Sequence, residues 1–311
     1  MTERDLSVPA LLVTVVAWAS AFVGIRAVGE TFSPGALSFG RLLVGALALT
    51  VLARPWQHAL PRGRSLALVV CYGVIWFGAY NVALNAGERQ LDAGTSALVV
   101  NIGPILIALL AGVLLKEGLP RPLLIGMAVA FTGVVLIAVS ARGSTAGTAS
   151  ASGVVLCVLA AAAYAVGALT QKLALRQVSP VMSVWLACVI GALVCTPWAP
   201  QLVAQSRDAA AGELGWLVYL GVVPTAVGFS TWSYALKRLN AGQVASTTYL
   251  VPAIATLISW LLLGEVPAPL AFAGGALCLT GVAITRVRSR RPASSPPRDR
   301  SQPAATAGRA P

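Results

Sequence analysis

The chain has 311 residues, 57% of them hydrophobic and 10% charged, with a mean hydropathy of +0.81. Soluble domains carry about 25% charged residues, so this composition excludes a soluble globular protein and makes the lipid bilayer the medium for most of the surface. The net charge of +12 does not make nucleic acid a partner, because the basic residues lie between long apolar runs rather than on one polar face.

Each apolar run is long enough to cross ~30 Å of hydrocarbon as a helix and too evenly apolar for a barrel strand. The predicted spans are 8–27, 34–53, 66–87, 93–115, 122–140, 152–172, 180–199, 214–236, 242–263 and 268–285. Residues 1–7 precede them. Arg4, the apolar run and Ala19-Ser20-Ala21 resemble a signal peptide, but Glu3, Asp5 and nine further spans favour a retained first helix. The second span holds Arg41, the only basic residue deep inside a span, where a charge costs at least ~2.5 kcal/mol near the bilayer centre. The third span carries Asn81 and Asn85 on one helical face. The fourth and ninth are interrupted by Pro104 and Pro252, which remove a backbone donor and free the carbonyls of Val100 and Thr248. Residues 141–151 form a Gly, Ser, Thr and Ala linker between two halves. The tail 286–311, rich in Pro, Ser and Arg, is expected to be disordered, with its early arginines near anionic lipid heads.

With the N-terminus inside, 17 of the 22 Lys and Arg residues fall on inner segments and four, Arg26, Arg89, Arg142 and Arg207, on outer loops. This positive-inside pattern places both termini in the cytoplasm. The Ala, Gly and Arg bias suggests a high-GC bacterium, hence a bacterial cytoplasmic membrane.

The two interrupted spans belong to a repeat. Residues 91–134 align with 239–282 at an offset of 148, pairing Pro104 with Pro252, Glu117 with Glu265, Gly126 with Gly274 and Gly133 with Gly281. Upstream the offset is 146, which pairs Pro34 with Pro180 and Trp18 with Tyr164. Five spans per copy is an odd number, so the copies cross the membrane in opposite senses. The predicted fold is an all-α polytopic membrane protein of ten transmembrane helices, arranged as inverted five-helix repeats over 8–140 and 152–285. Such repeats build secondary transporters with a midplane site between the halves.

Trp18-Ala19-Ser20-Ala21-Phe22, Arg41-Leu42-Leu43, Tyr234-Ala235-Leu236-Lys237-Arg238, Pro252 with Leu261-Leu262-Leu263-Gly264-Glu265, and Gly274 with Thr280-Gly281-Val282 together resemble the drug/metabolite transporter superfamily, of the type with two EamA domains. The resemblance covers nearly all of 8–286. It implies a ten-helix bundle that moves small metabolites, often outward, through a cavity between the halves. One position departs from the pattern, because Ala21 stands where relatives carry Asn.

Trp18, Ser20, Trp76, Tyr80, Asn81, Asn85, Asn101, Tyr164, Gln171, Trp185, Ser230, Trp232, Ser233, Tyr234 and Tyr249 are the candidate cavity residues. Uncharged hydrogen-bonding groups among aromatics suit an amphipathic or zwitterionic small-molecule substrate, amino-acid-like or aromatic. Trp18 and Tyr249 are favoured by their repeat positions, with Pro104 and Pro252 as helix kinks that line the path. Arg41 has two readings: a cavity cation for an anionic group, or a side chain that snorkels or bonds helix-end carbonyls. Glu117 and Glu265 are expected to bond loop amides or basic groups. With acidic residues absent from every predicted span interior, coupling to protons through a deep carboxylate is not expected. A lipid or sugar-conjugate carrier is the alternative. No Walker loop, His cluster, HExxH or CxxC is present, so no catalytic residue, metal or cofactor is expected. The five cysteines read as small buried hydrophobes. The glycines of the fifth and tenth spans, Gly126, Gly133, Gly274, Gly275 and Gly281, permit close helix contact, so a homodimer is possible.

Overall fold

The structure is a computed structural model that describes residues 5–90, 99–141, 151–263 and 269–285. Glu265, nearly all of the predicted linker and the basic tail lie outside the described residues. The helices are α1 (Ser7–Val28), α2 (Pro34–Ala53), α3 (Gly63–Glu88), α4 (Gly103–Leu114), α5 (Arg121–Ala141), α6 (Ala151–Ala174), α7 (Pro180–Val194), α8 (Ala199–Asp208), α9 (Ala211–Arg238), α10 (Ala241–Thr247), α11 (Leu250–Leu263) and α12 (Pro269–Thr285). Among the described residues, helix lies within each of the ten predicted spans. α2, α3, α6, α9 and Ser7–Ile25 of α1 are each long and apolar enough to cross a membrane alone, whereas α7 bends by 58° into α8.

The local chemistry repeats along with the sequence. Ser33 caps α2 by accepting from the Ala36 N–H at 3.4 Å, and Ser179 caps α7 by accepting from the Met182 N–H at 3.4 Å. Each Ser is followed by a proline at the first helical position, where a missing N–H has no partner to lose. Leu47, Val51, Leu52, Leu193 and Leu261 are largely exposed, which in an α-helical bundle of this composition marks the lipid-facing surface.

Side-chain contacts establish that the halves run in opposite senses. At one end, the α1–α2 corner of the first half meets the α7–α9 corner of the second: Ser33 donates to Gln201 at 2.8 Å, and Thr31 bonds Glu213. At the other end, which holds the N-terminal residues, Glu117 of the first half meets Lys172 and Ala241 of the second. We call these the far end and the tail end.

The pseudo-twofold axis passes between α5 and α12. A Cβ placed on Gly126 would lie 2.5 Å from the Gly281 carbonyl oxygen, and one on Gly133 would lie 2.5 Å from that of Gly274. Each contact is the image of the other at the 148-residue offset. Ala130 and Cys278, also 148 apart, touch on the axis itself, the Cys278 Sγ donating to the Ala130 carbonyl at 3.5 Å. Glycine lets the two backbones approach to the distance that dispersion and weak hydrogen bonds require in lipid. These four glycines therefore serve a contact inside the chain.

Candidate functional site

A cavity of about 110 Å³ lies between the halves. At roughly 30 Å³ per water in the liquid, it has room for about four waters. The first half contributes Trp18, Phe22 and Ile25 from α1, Arg41 from α2, Trp76, Tyr80, Asn81 and Glu88 from α3, and Asn101 and Pro104 before and within α4. The second contributes Tyr164 from α6, Phe229 from α9, Thr248 after α10 and Val251 from α11. These are the far-end halves of α1, α2 and α3, so the cavity lies toward the far end.

Two backbone irregularities shape it, and each occurs once per half. The first is a helix break. The chain turns at Asn101 and Ile102 before α4, and again at Thr248 and Tyr249 between α10 and α11. Pro104 and Pro252 fall within the first turn of the helix that follows each break, so they begin a new helix rather than kink a continuous one. The Thr248 carbonyl accepts from the Val251 N–H at 2.9 Å, so it is not left open to a ligand.

The second irregularity is a π turn, over Gly73–Tyr80 in α3 and Gly221–Gly228 in α9, again 148 residues apart. Such turns free carbonyls that side chains must satisfy. In α3 the Asn81 Nδ2 donates to the Phe77 carbonyl at 2.8 Å. In α9 Pro224 cannot donate to the Leu220 carbonyl, and the Thr225 hydroxyl does so instead at 2.7 Å. Thr225 Oγ1 in turn accepts from Arg41 Nε at 3.1 Å. The proline of one half thus seats the arginine of the other. The Pro224 carbonyl accepts from Trp18 Nε1 at 3.2 Å.

The predicted residues divide by position. Trp18, Arg41, Tyr80, Asn81, Asn101, Pro104 and Tyr164, with Trp76, border the cavity. The others do not. Ser20 accepts from the Tyr219 hydroxyl at 2.7 Å on another face of α1. Asn85 donates to Ser38 Oγ at 3.0 Å and ties α3 to α2. Trp185 Nε1 donates to Thr50 Oγ1 at 2.9 Å between α7 and α2. Tyr234 lies 3.6 Å beneath the Arg238 guanidinium near the tail end. Ser233 bonds the Phe229 carbonyl and Gln171. Ser230 is turned away with a buried hydroxyl. Tyr249 is wholly buried, against Phe131 and the α1–α5 packing. Pro252 is buried in α11 without touching the cavity.

Glu88 is the residue that sequence reasoning missed. It is the last residue of α3, one position beyond the predicted third span, and it borders the cavity. Its signal was present, because Tyr80 and Glu88 are eight apart and so share a helical face.

Aromatic rings form the wall opposite the polar groups. Trp18 lies 5.1 Å from Phe229, and Trp76 lies 5.2 Å from both Tyr164 and Phe229. Toward the tail end the halves are shut. Glu117 Oε2 accepts from the Ala241 N–H at 2.7 Å, its Oε1 lies 3.6 Å from Lys172 Nζ, and Lys172 donates to the carbonyls of Leu236, at 2.8 Å, and Leu239. Glu117 thus meets a basic group, as expected of it, while the amide it bonds is the first of helix α10 rather than one in a loop. Between this lock and the cavity, Trp232 Nε1 and Gln171 Oε1 are buried without hydrogen-bond partners. Among the described residues no group of three or more His, Cys, Asp and Glu could hold a metal.

Comparison with known proteins agrees with this arrangement. The model of the EamA-like transporter family matches residues 6–139 and again 151–287. The chain is 37% identical over 292 residues to a protein of Streptantibioticus cattleyicolor named "Probable terminal-alkyne amino-acid exporter", covering 93% of this chain and 97% of that one. It is 31% identical over 289 residues to a Salmonella typhimurium protein named "Probable amino-acid metabolite efflux pump", covering 88% and 92%. An uncharacterized transporter of Bacillus subtilis is 31% identical over 271 residues, covering 87% and 88%. A solved crystal structure shares the fold with a TM-score of 0.73 at 18% identity, over 91% of this chain and 97% of that one.

Proposed function

Because the chain belongs to the EamA-like transporter family, and is therefore a multi-pass membrane transporter of small molecules and not an enzyme, we propose that it exports a small organic metabolite by alternating access between its two inverted halves. The observation that carries this reading is the cavity lined by both halves, bordered at one end and locked at the other by Glu117, Lys172 and Ala241. A lock built from polar groups of opposite halves separates when the halves rock. The unpaired Trp232 Nε1 and Gln171 Oε1 fit the same reading. Each costs about 1–3 kcal/mol while dry, and each would be wetted when the tail end opens.

The charge asymmetry along the chain supports a cytoplasmic tail end in a bacterial inner membrane, and with it a cavity that lies toward the outer side. The names of the Streptantibioticus and Salmonella relatives support export and an amino-acid-like substrate. The aromatic rings and few polar groups that line the cavity suit a small amphipathic molecule; a lipid or sugar conjugate is the alternative.

Counterflow in proteoliposomes tests the proposal. Vesicles loaded with unlabelled L-alanine, leucine, methionine and phenylalanine should accumulate the labelled pool saturably, and Trp18→Ala should abolish the uptake. No saturable exchange of any pool member by folded protein would overturn the assignment of a small amino-acid-like substrate.

A further inference from the structure

Arg41 is 6% exposed and borders the cavity. Its Nε is fixed on Thr225, which is itself fixed on the Leu220 carbonyl. Its two Nη nitrogens donate no hydrogen bond among the described residues, although they are the paired donors that match a carboxylate. An arginine held by Nε inside a cavity is not snorkelling to lipid, and among the described residues it bonds no helix-end carbonyl. Glu88 borders the same cavity from the end of α3. It stands close enough to Arg41 for the two charges to attract. Tyr80, one helical face along α3 from Glu88, lies with them.

We propose that Arg41 and Glu88 form a two-charge head-group site, in which Arg41 takes a substrate carboxylate through its Nη nitrogens and Glu88 takes an ammonium group on the same small molecule. The inference rests on the small-metabolite reading above and names the residues that would set its selectivity. Charge balance decides the class. The pair is neutral when empty and stays neutral with a zwitterion. A lone carboxylate must compete with Glu88 for Arg41 and leaves the site with excess negative charge, and a lone amine leaves it positive. The aromatic wall of Trp18, Trp76 and Phe229 then receives the rest of the molecule. The site has no counterpart in the second half, where the positions matching Arg41 and Glu88 are Ala187 and Leu236, so it confers a single binding orientation.

The test is competition in the same counterflow assay, with labelled L-leucine against unlabelled L-leucine, 3-methylbutylamine and 4-methylpentanoate, which lack the carboxylate and the ammonium group respectively. Wild type should prefer leucine over either analogue by about 10- to 100-fold, the range of a hydrogen bond to a charged group. Arg41→Gln should erase the preference over the amine while keeping that over the acid. Glu88→Gln should do the reverse. Arg41→Lys should keep both preferences with weaker binding, and it covers the case in which Arg41→Gln does not fold. Crossed losses support the site, because a merely structural role would lower all three ligands together. Unchanged preferences in both variants, or equal loss of all ligands in folded Arg41→Gln and Glu88→Gln protein, would overturn it. A wild type that exchanges leucine without discriminating against the analogues overturns this inference alone, whereas a wild type with no exchange at all overturns the reading beneath it.

Discussion

The third helix of the first half widens into a π turn over Gly73–Tyr80, and the third helix of the second half does so over Gly221–Gly228, 148 residues later. The two turns are repaired differently. Asn81 repairs the first with its side-chain amide, and Thr225 repairs the second beside Pro224 and offers its oxygen to Arg41. The same divergence runs through the other matched positions. Trp18 and Tyr164 both border the cavity, as do Val100 and Thr248, but Asn101 borders it while its image Tyr249 is buried. The backbone repeats because glycines, prolines and apolar spacing repeat. The side chains diverge because, in any one conformation, one end of the bundle must be open and the other dry. Inverted halves supply two ends of equal geometry, and asymmetric polar groups decide what each end holds.

The strongest way to break this comparison is on the axis itself. Gly133→Ala should lower stability by about 1–3 kcal/mol, because its Cβ would meet the Gly274 carbonyl at 2.5 Å, and Gly281→Ala should do comparable damage as part of the image contact. Gly212→Ala, whose Cβ meets nothing within 4 Å, should change stability by less than about 0.5 kcal/mol. Thermal melting in detergent separates these outcomes, and equal melting of all three variants would deny the close α5–α12 contact. Next in size is Thr225→Val. It removes the hydroxyl bond to the Leu220 carbonyl and unseats Arg41 at once, so about 1 kcal/mol of stability and most of the transport should go together.

The lock sharpens the comparison of ends. Glu117→Gln should weaken the tail-end closure by about 1 kcal/mol, roughly a fivefold shift in population. A cysteine at Ser233, between lock and cavity, in a background without the native cysteines should then react about fivefold faster with a maleimide supplied from the tail side. An unchanged rate would mean that the lock does not set the equilibrium. The smallest effect belongs to the Asn101 and Tyr249 pair. Tyr249→Phe removes a hydroxyl that has no partner, so melting should move by less than about 0.5 kcal/mol. Asn101→Leu, which removes a polar group that borders the cavity, should reduce transport. If Tyr249→Phe also reduces transport, then Tyr249 meets the substrate in the opposite conformation, as its image position allows.

Much of this was legible without coordinates. Trp18, Arg41, Tyr80, Asn81, Asn101 and Tyr164 stand out because polar and aromatic groups are expensive in an apolar span and persist where a cavity or partner receives them. Ser20, Asn85, Trp185, Ser233 and Tyr234 stand out equally, yet they bond neighbouring helices. A polar side chain in lipid has the same sequence signature whether it satisfies a helix neighbour or a substrate, and only the rotation of each helix about its axis tells the two apart.

The amino-acid sequence by itself determined the medium, the ten spans, the two copies and their opposed senses, because hydrophobic length, charge placement and an odd repeat number are properties of the linear chain. The tertiary structure alone decided that the prolines begin helices instead of kinking them, that the glycines join α5 to α12, and that Glu88 comes to border the same cavity as Arg41. Those outcomes depend on which helix faces lie together, and packing between residues 47 positions apart or more is set by shape and distance, which no local pattern encodes.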